Sequence, residues 1–158
     1  MGISTILGSI QTLVTGLITG IFVAMVVTAT ARVSLEITNF VKFQQDLHYV
    51  FGTMMPPFAL ASIVVGIIWL ISLRRQFKSP AFLLAALSTL GAIAALFVSF
   101  RTNFPINDIL VTWNAASPPA DAKEIWMPWE RAHVIRTVFY AISFVSAVTA
   151  NNFSRSKS

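Results

Sequence analysis

The 158-residue chain contains no cysteine. Disulfides, thiolate nucleophiles, iron–sulfur clusters and cysteine-bound zinc are thereby excluded. Charge is scarce as well: Asp, Glu, Lys and Arg make up 11% of the residues, against 56% hydrophobic ones. Mean hydropathy is +0.75. So few polar side chains do not cover a water-facing surface, which excludes an ordinary soluble globule. Neither a phosphate-binding glycine loop nor a Ser-His-Asp context is present. The formal charge is +5, but the basic residues form no long patch, and no nucleic-acid partner is expected.

Apolar length is what the chain has. Met1–Ala31, Val50–Leu73, Ser79–Phe100 and Thr137–Ser154 are charge-free runs of 31, 24, 22 and 18 residues. A bilayer core ~30 Å thick needs ~20 apolar residues of helix. The chain is therefore expected to be all-α: an integral membrane antiparallel four-helix bundle with the lipid bilayer as its surroundings. Spans are expected at about 9–31, 53–73, 80–100 and 129–151, in one domain over 1–158. "ATA" at 29–31 resembles a signal-peptidase site. No Lys or Arg precedes the apolar run, which is about twice a normal signal core, so span 1 is expected to stay uncleaved.

In span 1, Gly8, Thr12, Gly16 and Gly20 recur every fourth position, and "GLITG" lets helix backbones approach closely. Packing inside the bundle is the first reading and a homo-oligomer contact the second. Residues 32–50 are amphipathic and fit a helical extension or an interfacial helix. Pro56 and Pro57 fall near the start of span 2. Gly91, Ala85, Ala94 and Ala95 suit close contact in span 3. Residues 101–128 hold Pro105, Pro118 and Pro119, with Asn103, Asn107 and Asn114. They read as a long, structured polar loop between spans 3 and 4, with Pro128 opening span 4.

Trp129, His133, Arg136 and Tyr140 follow i, i+4, i+7, i+11 and share one helix face. An Arg inside a span costs ~2.5–3.5 kcal/mol at the bilayer centre and implies a partner or a wet cavity. Plain headgroup anchoring by Trp and a snorkelling Arg is the bland alternative. Glu130, three residues before His133, is placed to orient its imidazole. His48, the only other histidine, precedes span 2, and Arg101 ends span 3. Two histidines and a carboxylate on one side leave a divalent metal open, and His48 with His133 leaves paired haem ligation open. Neither spacing is diagnostic.

"FQQDLHYVFGTMMPP", "RTNFPINDILVTW" and "WERAHVIRT" resemble the small four-span membrane proteins grouped with the anthrone oxygenases. The resemblance covers essentially the whole chain. Its most specific elements are the N-x-P-x-N stretch from Asn103 to Asn107 and W-x-x-x-H-x-x-R-T from Trp129. It implies oxidation of an anthrone to an anthraquinone by molecular oxygen, without metal or flavin, so no cofactor is expected. By motif position it implies Asn107, Trp129, His133 and Arg136 as site residues, with His48 from the first block.

The chemistry needs a base at an activated carbon and donors for the resulting oxyanion. His133 suits the base, Arg136 and Asn107 the oxyanion partners, and His48 a second acid/base. Trp113, Trp126 and Trp129 would stack on a flat aromatic substrate, with Tyr140 and Arg101 as further contacts. The competing readings are a non-catalytic accessory or assembly protein and, more weakly, a transporter. The span interiors lack the ionisable residues of a through-path.

Arg74, Arg75, Lys78, Arg155 and Lys157 lie on one side with no acidic residue. By basic-residue bias that side, with both termini, is cytoplasmic, and 32–50 and 101–128 face outward. A reporter fused after Ser158 is expected to be active in its cytoplasmic form; activity of a periplasm-dependent reporter there would reverse the orientation.

Overall fold

Lipid offers no hydrogen-bond partners, so a spanning chain must satisfy its backbone within itself. The computed structural model, which describes residues 2–155, does so entirely with helix. Lys157, one of the basic residues used for orientation, lies outside the described residues, as does the side chain of Arg155. The elements are α1 (Ile3–Val27), α2 (Ala29–Val33), α3 (Ile37–Leu73), α4 (Pro80–Val98), α5 (Phe104–Leu110) and α6 (Ala122–Arg155). Four helical stretches are long and apolar enough to cross a membrane: Ile3–Val27, Ile37–Gln76, Pro80–Leu110 and Ala122–Phe153. The chain has the make-up of a multi-pass membrane protein, and no strand occurs among the described residues.

The packing follows side-chain size. α6 packs against α1 and α4, and α3 closes the bundle against the same two helices. Ala85, Ala92, Ala95, Ala147 and Ala150 are buried at the contacts, while Leu13, Leu60, Leu90 and Val145 face outward. A Cβ at Gly91 would stand 2.9 Å from the Phe139 carbonyl oxygen, so α4 and α6 meet backbone to side. Small polar side chains join the helices in the middle: Ser143 Oγ donates to the Ser88 carbonyl at 2.7 Å, and Gln11 Nε2 donates to Ser88 Oγ at 3.4 Å.

Four expectations need correction. The glycine stripe of α1 is only half used. A Cβ would meet Asn151 Oδ1 at 2.7 Å from Gly8 and Phe144 Cε2 at 2.9 Å from Gly16, but nothing within 4 Å from Gly20. The buried face is Thr5, Gly8, Gln11, Thr15, Ile18 and Phe22: Gln11 finds Ser88 inside, the Thr15 hydroxyl is satisfied by the Gln11 carbonyl of its own helix, and Gly20 turns outward.

Most of the amphipathic segment is the expected helical extension, forming one 37-residue helix with span 2, α3; what changes is that Pro56 and Pro57 lie inside it rather than near its start. Buried Phe40, Val41 and Gln44 anchor its first turns, and this packing outweighs the two backbone bonds that the prolines remove.

The expected loop over 101–128 is mostly helical. Ser99–Asn103 forms one wide turn in which the Phe104 N–H reaches the Ser99 carbonyl. Pro105 then sits in the first turn of α5, where its missing N–H costs nothing. Gln45 Nε2 donates to the carbonyls of Leu110 and Trp113 at 3.0 and 2.9 Å and ties down the end of α5.

α6 begins at Ala122, not at Pro128, which lies inside the helix. Buried Ala122, Trp126 and Trp129 pay for the earlier start by packing on Phe40, Val41 and Leu110.

Gly91→Ala is expected to lower the thermal stability of the detergent-solubilised protein by the equivalent of ~1–3 kcal/mol, the usual cost of overpacking. Gly20→Ala should be neutral or slightly stabilising. Equal behaviour of the two variants in a thermal-unfolding assay would contradict this packing.

Candidate functional site

A cavity of about 440 Å³ opens at the end of the bundle that carries α5, within the ~300–1,000 Å³ typical of small-molecule sites. α1 contributes Phe22 and Met25, α3 Gln44, His48, Gly52 and Met55, and α6 Trp126, Trp129, His133, Arg136 and Tyr140. Ser99, Asn107 and Asp108 line it from the wide turn and α5. Both histidines therefore face one space. Among the described residues, no group of three or more His, Cys, Asp or Glu side chains is placed to hold a metal ion.

The α6 face is a column. Trp126 stacks on Trp129 with centroids 4.6 Å apart, and Trp129 stacks on His133 at 5.0 Å. Trp129 is gripped by the two asparagines of the N-x-P-x-N stretch. Asn103 Nδ2 donates to its carbonyl at 3.1 Å, and its indole Nε1 donates to Asn107 Oδ1 at 2.8 Å. An indole nitrogen only donates, so Oδ1 must be the atom it meets, and the Asn107 amide nitrogen is left as a donor at the cavity.

His133 is fully engaged. Arg136 donates to its Nδ1 from Nε at 3.0 Å and from Nη2 at 2.8 Å. An Nδ1 that accepts from a guanidinium carries no proton. The proton therefore sits on Nε2, which donates to the Phe22 carbonyl at 3.1 Å. Arg136 Nη1 donates to Ser99 Oγ at 3.2 Å, and the guanidinium carbon lies 4.6 Å from the Phe22 ring centroid and 5.0 Å from that of Trp129. Neutral groups alone hold this cation. The ion pairs among the described residues are Arg32–Glu130 and Lys42–Asp46. The Asp108 carboxylate lines the cavity from an exposed position and makes no ion pair.

The Glu130 carboxylate does not orient His133 as the spacing predicts. It takes Arg32 Nη1 at 2.8 Å and Nη2 at 3.2 Å, and Trp126 Nε1 at 2.9 Å. Arg32 and Glu130 are 4% and 7% exposed, so the pair ties the α1–α3 connection to α6 inside the protein. Arg32 escaped the sequence reading because its partner is 98 residues away.

The remaining expected residues divide. Tyr140 closes the inner end of the cavity, its hydroxyl 3.4 Å from Ser62 Oγ. Trp113 lies outside the cavity, packed on the Phe40–Trp126 cluster, and Arg101 is exposed and does not line it. Trp129 is stacked between Trp126 and His133, so it offers a ligand its edge rather than a free face.

His48 makes no hydrogen bond or ion pair among the described residues. Its ring lies over Gly52, where a Cβ would come within 2.7 Å of Cε1 and 2.8 Å of Nδ1. Gln44, one turn before His48, is 2% exposed and its Nε2 has no partner. Gln44 and the Gly52 seat were missed; the only signal was their i, i+4 spacing around His48.

The fold and cavity define a four-helix membrane bundle with a largely apolar, aromatic-walled pocket at one end that holds a few polar groups. The family model of the anthrone oxygenases matches residues 43–146, and the chain belongs to that family. The matched stretch contains Gln44, His48, Asn107, His133 and Arg136, while Phe22 and Arg32 precede it. No curated protein and no solved structure matches the chain.

Glu130→Gln is expected to destabilise the protein by ~3–5 kcal/mol, because Arg32 would be left buried without its counter-charge. The Arg32→Gln/Glu130→Gln pair should recover most of that loss. Thermal unfolding in detergent checks it; a single variant as stable as the parent would contradict the pairing.

Proposed function

We propose that the protein oxidises a flat, hydrophobic, anthrone-type aromatic with molecular oxygen in this cavity. The observation that carries the reading is Arg136: a guanidinium without a carboxylate partner, set among aromatic walls in the cavity that the unbonded His48 imidazole also lines. Such a site favours an oxygen that gains negative charge during reaction. An accessory role predicts that these residues pair off internally and leave no cavity; His133 does pair with Arg136 and Asn107 with Trp129, but the cavity they line favours catalysis.

The roles differ from the simplest reading of the sequence. His133 has no free ring nitrogen, so it acts as a positioning residue that aims Arg136. His48 is the base. It takes a proton from the methylene carbon opposite the carbonyl, and the electron pair moves onto the carbonyl oxygen. Arg136 and the Asn107 amide donate to that oxygen. The electron-rich carbon then adds oxygen, with a proton, to give a hydroperoxide. Removal of the second C–H proton breaks the O–O bond, forms the new carbonyl and releases water. One anthrone and one O₂ thus give one anthraquinone and one water. The apolar walls exclude bulk water from the anion. On the expected orientation the cavity opens on the outer side of the membrane, within reach of substrate dissolved in the lipid.

Purified protein in detergent is expected to consume one O₂ per hydroxyanthrone oxidised, without accumulating hydrogen peroxide. His48→Ala should lower kcat by ~10²–10⁴, the usual contribution of a general base. Arg136→Lys should lower it by ~10²–10³, since Lys keeps the charge but loses the planar fork. Rates equal to uncatalysed autoxidation in the unaltered protein, or full activity of His48→Ala, would overturn the assignment.

A further inference from the structure

Six buried side-chain atoms lack a hydrogen-bond partner among the described residues: Gln11 Oε1, Arg32 Nε, Gln44 Nε2, Trp69 Nε1, Asn103 Oδ1 and Asn151 Oδ1. Of their six residues, only Gln44 lines the cavity. It is 2% exposed, so an acceptor in the cavity reaches the amide once the side chain turns toward the space it lines. A buried donor facing a ligand cavity without a partner is a binding group awaiting an acceptor.

Its position says where that acceptor must be. Gln44 and His48 are one turn apart on the same face of α3, and the His48 ring leans a further turn along the helix onto Gly52. The amide therefore lies ~6–12 Å from the base along the helix axis. The long axis of a fused polycycle spans that distance. Arg136 and Asn107 reach the same cavity from α6 and α5 rather than from α3.

We infer that Gln44 is a specificity-determining residue, whose amide donates to an oxygen substituent of the aromatic substrate remote from the reacting carbon. The inference rests on the proposed function for the class of ligand. The site then selects polycycles that carry a hydroxyl or carbonyl at that end over the bare ring system. A bare ring leaves the amide unpaired, and sites built to bond an oxygen discriminate on that ground.

Binding tests this without requiring turnover. Anthraquinone and a series of monohydroxyanthraquinones are titrated into the detergent-solubilised protein, and quenching of Trp126 and Trp129 is followed. At least one hydroxylated isomer should bind about tenfold more tightly than the parent, the gain expected of one hydrogen bond made in place of an unpaired donor. Gln44→Met, close in length and volume, should erase that advantage, read as the ratio of hydroxylated to parent affinity within the same variant. Preference retained in Gln44→Met would overturn the inference, as would parent and hydroxylated forms binding alike to the unaltered protein. If Gln44→Met does not fold, the ligand series on the unaltered protein decides. If no anthraquinone binds at all, the proposed function fails first, and the inference with it. Oxygen consumption by the unaltered protein with absent selectivity would instead sink Gln44's role alone.

Discussion

A guanidinium held in an apolar bundle by neutral groups is the constraint on which the site depends. Arg136 is fixed by the imidazole of His133, the hydroxyl of Ser99 and the faces of Phe22 and Trp129. Each contact positions the charge and none cancels it. The carboxylate nearest in sequence, Glu130, is committed to Arg32 and Trp126 instead. Had Glu130 taken Arg136, the cavity would hold a neutral pair with little field for a ligand. The Arg32–Glu130 pair therefore does two things: it locks the α1–α3 connection to α6, and it leaves Arg136 without a carboxylate in hydrogen-bond contact.

The surrounding architecture serves that placement. The wide turn over Ser99–Asn103 sets the Ser99 hydroxyl toward Arg136 and the Asn103 amide toward the Trp129 carbonyl. Asn107 follows one turn later in α5 and fixes the Trp129 indole. Wide helical turns recur at functional sites because they re-aim side chains that a regular helix would stagger. Rigid stacking from Trp126 to His133 then carries the position of α6 to the guanidinium. On α3, Gly52 leaves space for the His48 ring, and Pro56 and Pro57 remove two backbone bonds just beyond it.

Much of this was legible in the sequence where the signal is local. Charge-free runs located the four spans, since bilayer thickness sets their length. Helical period alone put Trp129, His133, Arg136 and Tyr140 on one face. Signals that depend on distant partners were not legible. Pro128 has the chemistry of a helix start, but burial of Trp126 and Trp129 extends α6 past it. Glu130 is spaced to serve His133, yet a bidentate Arg32 wins the carboxylate. His133 has the spacing of a base, and sequence does not reveal that both its nitrogens are hydrogen-bonded. Trp113 and Arg101 were grouped with the site through their neighbours, and the chain turns them elsewhere.

The central claim is that the Arg136 guanidinium, free of a carboxylate contact, stabilises an oxyanion on a bound aromatic. Anaerobic mixing of the protein with an anthrone tests it most directly, because without oxygen the deprotonated ligand accumulates and its visible absorption is read at equilibrium. The account predicts the spectrum of the enolate at neutral pH with the unaltered protein and that of the neutral ketone with Arg136→Gln. A bound anthrone that keeps its neutral spectrum in the unaltered protein, or ionises equally well in Arg136→Gln, would contradict it.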